Sequence, residues 1–207
     1  MFGTNKEKKF WNWFEKNNSQ YLFLNEMEED IKEQHMDEFL HHLHQYAKGL
    51  YFLIGGHPDE QQVDLIITAD GIVEYFPAVE KLIGAAPEMK DWRFIAFKPP
   101  EGVDFLTEIG GRTFNPKETL FIPLSNKDEP SLVGLQVCYP DFHEAERNLF
   151  IQGTYIMIDS IIGEKSGALD IDYLEVVKTP DDLEDLQTLT LAELPEFIRF
   201  KKGQGMR

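Results

Sequence analysis

The sequence predicts one α+β domain, built on a mostly antiparallel sheet of about five or six strands, a common sheet size, covered by helices on one face. Three observations predict it. Short β-branched runs, often in pairs, alternate with amphipathic stretches at irregular spacing, which argues against a doubly wound parallel sheet. The 207 residues are 42% hydrophobic and 13% aromatic, enough for one sizeable core and too aromatic for a disordered chain. No self-similarity occurs at the periods of solenoid repeats. The expected organisation is an N-terminal helical extension over 1–20, packed on a body over 21–207.

The elements follow from local pattern. Phe10, Trp13 and Phe14 recur at helical spacing and predict a helix over Asn5–Asn18 that docks by its aromatic face. Met36, Phe39, Leu40, Leu43 and Ala47 form the apolar stripe of a second helix over Glu26–Lys48. Acidic residues at its start suit the helix dipole, and Gly49 ends it. Leu50–Ile54 and Val63–Ala69 read as an antiparallel hairpin, joined by a loop at His57–Glu60. Pro77 opens a helix with Val79, Leu82 and Ile83 on one face.

Trp92–Lys98 is a strand stopped by Pro99-Pro100. The glycine-punctuated stretch 101–118 carries no clear element. Thr119–Leu124 and Leu132–Tyr139 form another hairpin across the loop Ser125–Ser131. The longest helix runs over Phe142–Ile162, with Phe142, Ala145, Leu149, Gly153, Ile156 and Ser160 along one face, which Phe150, Met157 and Ile161 widen. Gly163 stops it. A last strand spans Ile171–Val177, and a short helix Leu191–Phe200.

Charge excludes one function class. The chain has 37 acidic and 20 basic residues, a formal net charge of −17. A groove for phosphate backbones needs clustered Lys and Arg, so nucleic-acid binding is disfavoured. The excess acid either serves solubility or steers a basic protein partner. No apolar run is long enough to cross a bilayer. The N-terminal segment lacks the apolar core and cleavage site of a signal peptide, so the expected location is the cytoplasm. Cys138 is the single cysteine, expected as a buried strand-end thiol with no basic neighbour to activate it.

The catalytic motifs fail in turn. Gly163-Glu164-Lys165-Ser166 lacks both glycines of a phosphate-binding loop at the required positions, and no G-x-G-x-x-G follows a strand. His35, His41, His42 and His44 crowd one helix, and Glu38-Phe39-Leu40-His41 fits one Glu-x-x-His unit. That chemistry needs a second unit, which the chain lacks. His41 lies nearly opposite the apolar stripe and should be solvated. No metal site and no cofactor are expected. There is no G-x-S-x-G elbow, and nothing brings His143 to Cys138.

Carboxylates remain. Asp159 sits among Ile156, Met157, Ile158, Ile161 and Ile162, at the flank of a helical apolar face. An acid there must be paired, hydrogen-bonded or neutral. Arg147, Arg93 or a backbone amide are the expected partners. Glu146 falls near the edge of the same face. Asp70 and Glu164 read as exposed loop residues near element ends. Asp70, Asp159 and Glu164 are the candidate binding residues.

Ile66-Ile67-Thr68-Ala69-Asp70-Gly71, Phe76-Pro77 with Val79, Ala86-Pro87, Trp92 and Ala96-Phe97-Lys98-Pro99 resemble a family of uncharacterised bacterial proteins of unknown function. Ile158-Asp159-Ser160-Ile161-Ile162-Gly163-Glu164 is similar to a helix end in that family. The resemblance spans about the middle two-thirds of the chain, and implies a bacterial, cytosolic protein without assigning an activity.

The function expected is a non-catalytic binding or regulatory protein presenting an acidic face to a protein partner. The alternatives are a small hydrolase or transferase using dispersed carboxylates, and a peripheral membrane protein anchored by Trp11 and Trp13. The last is disfavoured, because Glu7 and Glu15 dilute the basic face of the helix and anionic lipid would repel the acidic body.

Overall fold

The spacing of aromatic residues in helix α1 (Lys6–Asn17) decides what the N-terminal segment does. The computed structural model describes residues 6–56, 61–125, 127–129 and 132–204. Glu7, Phe10, Trp11 and Phe14 of α1 are buried, an i, i+3, i+4, i+7 face. The helix docks through aromatics as expected, but Trp11 takes the inward place assigned to Trp13. Trp13 sits at the flank of that face and is half-buried. Trp11 Nε1 donates a 2.8 Å hydrogen bond to the carbonyl of Leu82, which satisfies the indole N–H inside the core. Lys81 meets the buried Glu7 carboxylate at 2.7 Å and holds it below the usual glutamate range.

Contacts divide the chain into two units, Met1–Lys98 and Pro99–Arg207. The sequence pattern drew its boundary after residue 20 instead. The first unit continues with α2 (Glu29–Tyr46), β1 (Tyr51–Gly55), β2 (Val63–Thr68), α3 (Phe76–Ile83) and β3 (Trp92–Ala96). Its sheet has the order β1-β2-β3, with β1 and β2 antiparallel and β2 and β3 parallel. A parallel pair needs a crossover, and α3 supplies it. The loop expected at His57–Glu60 lies outside the described residues. Phe39 of α2 stacks on Phe52 with centroids 3.9 Å apart, and Trp11 meets Phe94 at 4.6 Å. The core of this unit is therefore an aromatic layer between helices and one sheet face.

The second unit holds β4 (Thr107–Ile109), β5 (Arg112–Phe114), β6 (Leu120–Leu124), β7 (Val133–Tyr139), α4 (Arg147–Ile162), α5 (Glu164–Asp170), β8 (Ile171–Lys178), β9 (Leu189–Thr190) and α6 (Leu194–Gln204). Its larger sheet has the order β8-β7-β6-β9. Strand β6 is antiparallel to β7 and β9, and β7 is parallel to β8. Phe121, Leu135, Val137, Phe150, Met157, Ile161 and Ile198 belong to one buried cluster. Tyr139 and Thr154 share a buried 2.8 Å hydrogen bond, so neither hydroxyl is left unpaired in the core.

The α+β class holds, but the single sheet does not: the strands form sheets of three, two and four. The break has a local cause. Phe97 leaves β3 with φ 67°, and Pro99 and Pro100 have no N–H to continue a ladder. The stretch left unassigned at 101–118 contains the β4–β5 hairpin, turned at Gly110-Gly111 with φ of 59° and 78°. Only glycine takes such angles freely, and they suit a two-residue hairpin turn. The buried face of α4 is Phe150, Gly153, Thr154, Met157, Ile158 and Ile161: of the expected face, Gly153, Phe150, Met157 and Ile161 lie inside, while Ile156 is exposed and Leu149 and Ser160 are half-buried. At Gly153 a Cβ would lie 2.4 Å from the ring of Phe114, so the glycine admits that ring.

The two larger sheets use one connection scheme: a hairpin, a helical crossover, and a strand returning parallel to the hairpin's second strand. The registers match as well. Phe52 faces Ile67 as Phe121 faces Val137, and Leu65 faces Phe94 as Leu135 faces Leu174. The chain thus repeats a β-β-α-β arrangement at a separation of about 70 residues, beyond the 20–50 typical of solenoids.

Candidate functional site

Asp70 lies two residues past the end of β2, with φ 48°. Its N–H donates to Thr68 Oγ1 at 3.0 Å, and Lys98 Nζ donates to its Oδ1 at 2.7 Å. Among the described residues, Asp70 and Phe97 are the non-glycine positions with positive φ. They stand at the C-terminal ends of the parallel strands β2 and β3. That end of a parallel pair is where ligands sit in open α/β sheets, and backbone strain collects at such places. Here the strain has a structural use, since it turns the Phe97 ring into the core against Phe76, with centroids 4.6 Å apart.

Asp159 and Glu164 flank the corner between α4 and α5. Gly163 makes that corner with φ 77° and ψ 156°, a conformation glycine adopts at little cost. Its N–H donates to the Asp159 carbonyl at 2.8 Å, and the Gly167 N–H donates to the Gly163 carbonyl at 2.9 Å. Glu164 is not an exposed loop residue: it begins α5 and is 0% exposed. The sequence pattern has no signal for α5, because a seven-residue helix after a glycine carries less than two periods of hydrophobicity. A carboxylate in a helix's first turn suits the dipole.

Asp159 is half-buried, as its flank position predicts. A Cβ on Gly167 would stand 3.0 Å from its Oδ1, so glycine there leaves room for the carboxylate. Both Asp159 and Glu164 are engaged by neighbours. Of the arginines expected near Asp159, Arg147 pairs with Glu144 and Arg93 with Asp64. On the same short helix, Asp170 accepts from Lys202 at 2.8 Å and from Ser166 at 2.5 Å. The corner is a hydrogen-bonded joint between helices. Asp159→Asn is expected to cost about 1–3 kcal/mol, the scale of a buried hydrogen bond to a charged group. A melting curve equal to that of the parent would remove Asp159 from the joint.

Asp70 belongs to the first unit, Asp159 and Glu164 to the second. An open groove of ≈ 660 Å³ runs beside β3, between Ile83, Pro87, Met89, Trp92 and Phe94, and contains none of the three. A smaller depression of ≈ 290 Å³ at Phe105, Asn115 and Lys117 also excludes them. Among the described residues no group of three or more His, Cys, Asp or Glu is arranged to hold a metal ion. Cys138 is buried, and burial with the nearby Glu175 pushes its thiol up to about 11. Such a thiol is protonated at neutral pH and a poor nucleophile.

Two features escaped the sequence reading. Arg112 of β5 binds Asp141, reaches Glu146 at 3.5 Å, and lies 4.3 Å from the Phe150 ring centroid. That grouping joins residues distant in sequence and leaves no local pattern. The second was legible. Glu29, Glu33 and Asp37 follow one another at i, i+4, i+8 along α2, beside Glu28, Asp30 and Glu38, and all are exposed. None of them holds an ion pair among the described residues. Phe23, six residues before α2, and Ile31, in its first turn, are 56% and 47% exposed. Among the described residues no helix is long and apolar enough to cross a membrane.

No protein-family model matches the chain, and comparison with curated proteins and with solved structures returns no match.

Proposed function

We propose that this is a non-catalytic binding protein whose first unit presents the acidic face of α2 to a basic protein partner. One observation carries the reading: the uncompensated row Glu29, Glu33, Asp37. Like charges at i, i+4 destabilise a helix by about 0.2–0.5 kcal/mol per pair. Glu29 in the first turn suits the helix dipole, but Glu33 and Asp37 beyond it add repulsion without that gain, and a positively charged partner would neutralise the row. Exposed Ile31, in the first turn of the same helix, and exposed Phe23, which precedes it in the chain, offer apolar anchors of the kind that a charged rim surrounds. The alternative is a hydrolase or transferase using dispersed carboxylates, for which a cavity lined by Asp70, Asp159 or Glu164 would be the supporting observation; the two depressions described above are lined by other residues. Membrane anchoring through α1 would require Trp11 and Trp13. The first is buried in the core and the second is stacked on His42.

The test uses a variant with Glu29→Gln, Glu33→Gln and Asp37→Asn. It is expected to melt close to the parent's temperature, because relieved repulsion offsets the dipole interaction lost at Glu29. It is also expected to lose basic proteins that the parent captures from a lysate. Association of a captured partner should slow by about tenfold or more as salt rises from about 0.05 to 0.5 M, since screening removes steering. An identical set of captured proteins on parent and variant would end this reading.

A further inference from the structure

Helices α1 and α2 enclose a cleft of ≈ 200 Å³. Lys6, Lys9, Phe10 and Trp13 come to it from α1 at i, i+3, i+4, i+7, and His42, Gln45 and Tyr46 from α2 at i, i+3, i+4. Each helix thus contributes one ridge. The Trp13 and His42 rings stack at 4.0 Å between centroids, with planes 19° apart, and form one wall. Lys9 Nζ donates to Gln45 Oε1 at 2.9 Å, and Gln45 Nε2 meets His41 Nε2 at 2.8 Å. Tyr46 is fixed by a 3.0 Å hydrogen bond from its hydroxyl to the Ala78 carbonyl. The polar rim is therefore ordered by bonds within the protein.

The charge at this cleft runs against the rest of the chain. Acids outnumber bases by 37 to 20, and Lys81, Lys98, Lys117 and Lys202 each meet a carboxylate. Among the described residues neither Lys6 nor Lys9 does so. Burial first, then the neighbouring His41 and Lys9, hold His42 below the usual histidine range against the opposing pull of Glu38. His42 therefore adds a neutral ring to the wall at neutral pH. An aromatic recess of this kind without cations would suit a quaternary ammonium. Two ammonium groups at its mouth reverse that preference. The volume lies below the 300–1,000 Å³ or so of drug-sized sites, which leaves room for one ring and a small substituent.

We infer that the α1–α2 cleft is a binding site for a small aromatic carboxylate, its ring against Phe10, Trp13 and Tyr46 and its carboxylate between Lys6 and Lys9. The acidic row of α2 lies on the exposed side of the helix's first turns. The cleft uses its last turns, so this site stands independently of the partner reading.

The test is a titration of the full chain with benzoate, followed through the Trp13 indole N–H and His42 ring resonances. Benzamide, cyclohexanecarboxylate and inorganic phosphate serve as comparison probes. Benzoate is expected to shift both residues saturably with a Kd no weaker than the millimolar range. Benzamide, which lacks the charge, and cyclohexanecarboxylate, which lacks the flat ring, should each bind about tenfold more weakly. Lys6→Gln with Lys9→Gln changes only exposed side chains and should raise the benzoate Kd about tenfold with an unchanged melting curve. Absence of any shift at about 20 mM benzoate would overturn the site, since that excludes even millimolar affinity. So would unchanged affinity in the double variant. Phosphate displacing benzoate at equal concentration would also overturn it, because the aromatic wall would then be irrelevant.

Discussion

Replacing Phe14 with alanine is expected to destabilise the protein by about 3–5 kcal/mol, the range for deleting a fully buried phenylalanine. Phe14 is 0% exposed. Its ring centroid lies 5.0 Å from that of Trp92, 5.8 Å from those of Trp11 and Phe94, and 5.9 Å from that of Phe39. The side chain therefore joins α1 to both α2 and β3, and its loss leaves a cavity bounded by large rings that cannot all move inward together. Domain stabilities are about 5–15 kcal/mol, so a large share of the total is at stake. Trp13→Ala provides the comparison. Its ring is half-buried and stacked on His42, so its removal should cost clearly less. Urea unfolding of both variants measures the order. Equal losses, or a larger loss for Trp13→Ala, would mean that α1 docks by the other edge of its aromatic face.

The second large effect is expected at Glu164. Its side chain begins α5 with no solvent exposure, and it is engaged by a neighbour. Removing a buried polar interaction costs about 1–3 kcal/mol, because the group left behind loses its partner without regaining water. Glu164→Gln keeps the volume and changes only the carboxyl group, so it isolates this polar contribution. Asp70→Asn is the matching control. Asp70 and Lys98 side chains are 49% and 30% exposed, and an ion pair in contact with solvent contributes only about 0–1 kcal/mol. A large drop in melting temperature for Glu164→Gln with little change for Asp70→Asn would establish Glu164 as a structural group. A Glu164→Gln protein that melts like the parent and fails to bind its partner would instead make Glu164 a functional one, because sites tolerate unfavourable burial that folding does not require.

The contrast between these two carboxylates shows where local pattern stops. Asp70 and Glu164 look alike in sequence, each beside a glycine at the end of an apolar run. Asp70 follows a strand and precedes Gly71, so the chain turns outward and the carboxylate meets Lys98 near solvent. Glu164 follows Gly163, whose positive φ sends the chain into another helix and the side chain inward. The binding candidates differ in legibility for a related reason. The acidic row of α2 lies at a single helical period and was visible in the sequence. The cleft between α1 and α2 was not, although its aromatic and histidine components were both conspicuous, because neither helix's own periodicity specifies which ridge of the other it meets.

Sequence alone determined the local states. Helices α1 to α4, the hairpins β1–β2 and β6–β7, the crossover helix after Pro77 and the inert burial of Cys138 follow from periodicity, β-branching and turn chemistry within a few neighbouring residues. Tertiary structure decided what depends on remote partners. It selected Trp11 over Trp13 as the inward ring and, within the broad apolar face of α4, buried Phe150, Gly153 and Met157 while leaving Ile156 exposed. It also divided the strands among three sheets and buried Glu164. On an amphipathic helix several adjacent faces bury nearly equal apolar area, so local hydrophobicity barely separates them. The choice falls to packing against surfaces far away in the chain, such as the Phe114 ring that fits only over Gly153, where a single methyl group decides between contact and clash.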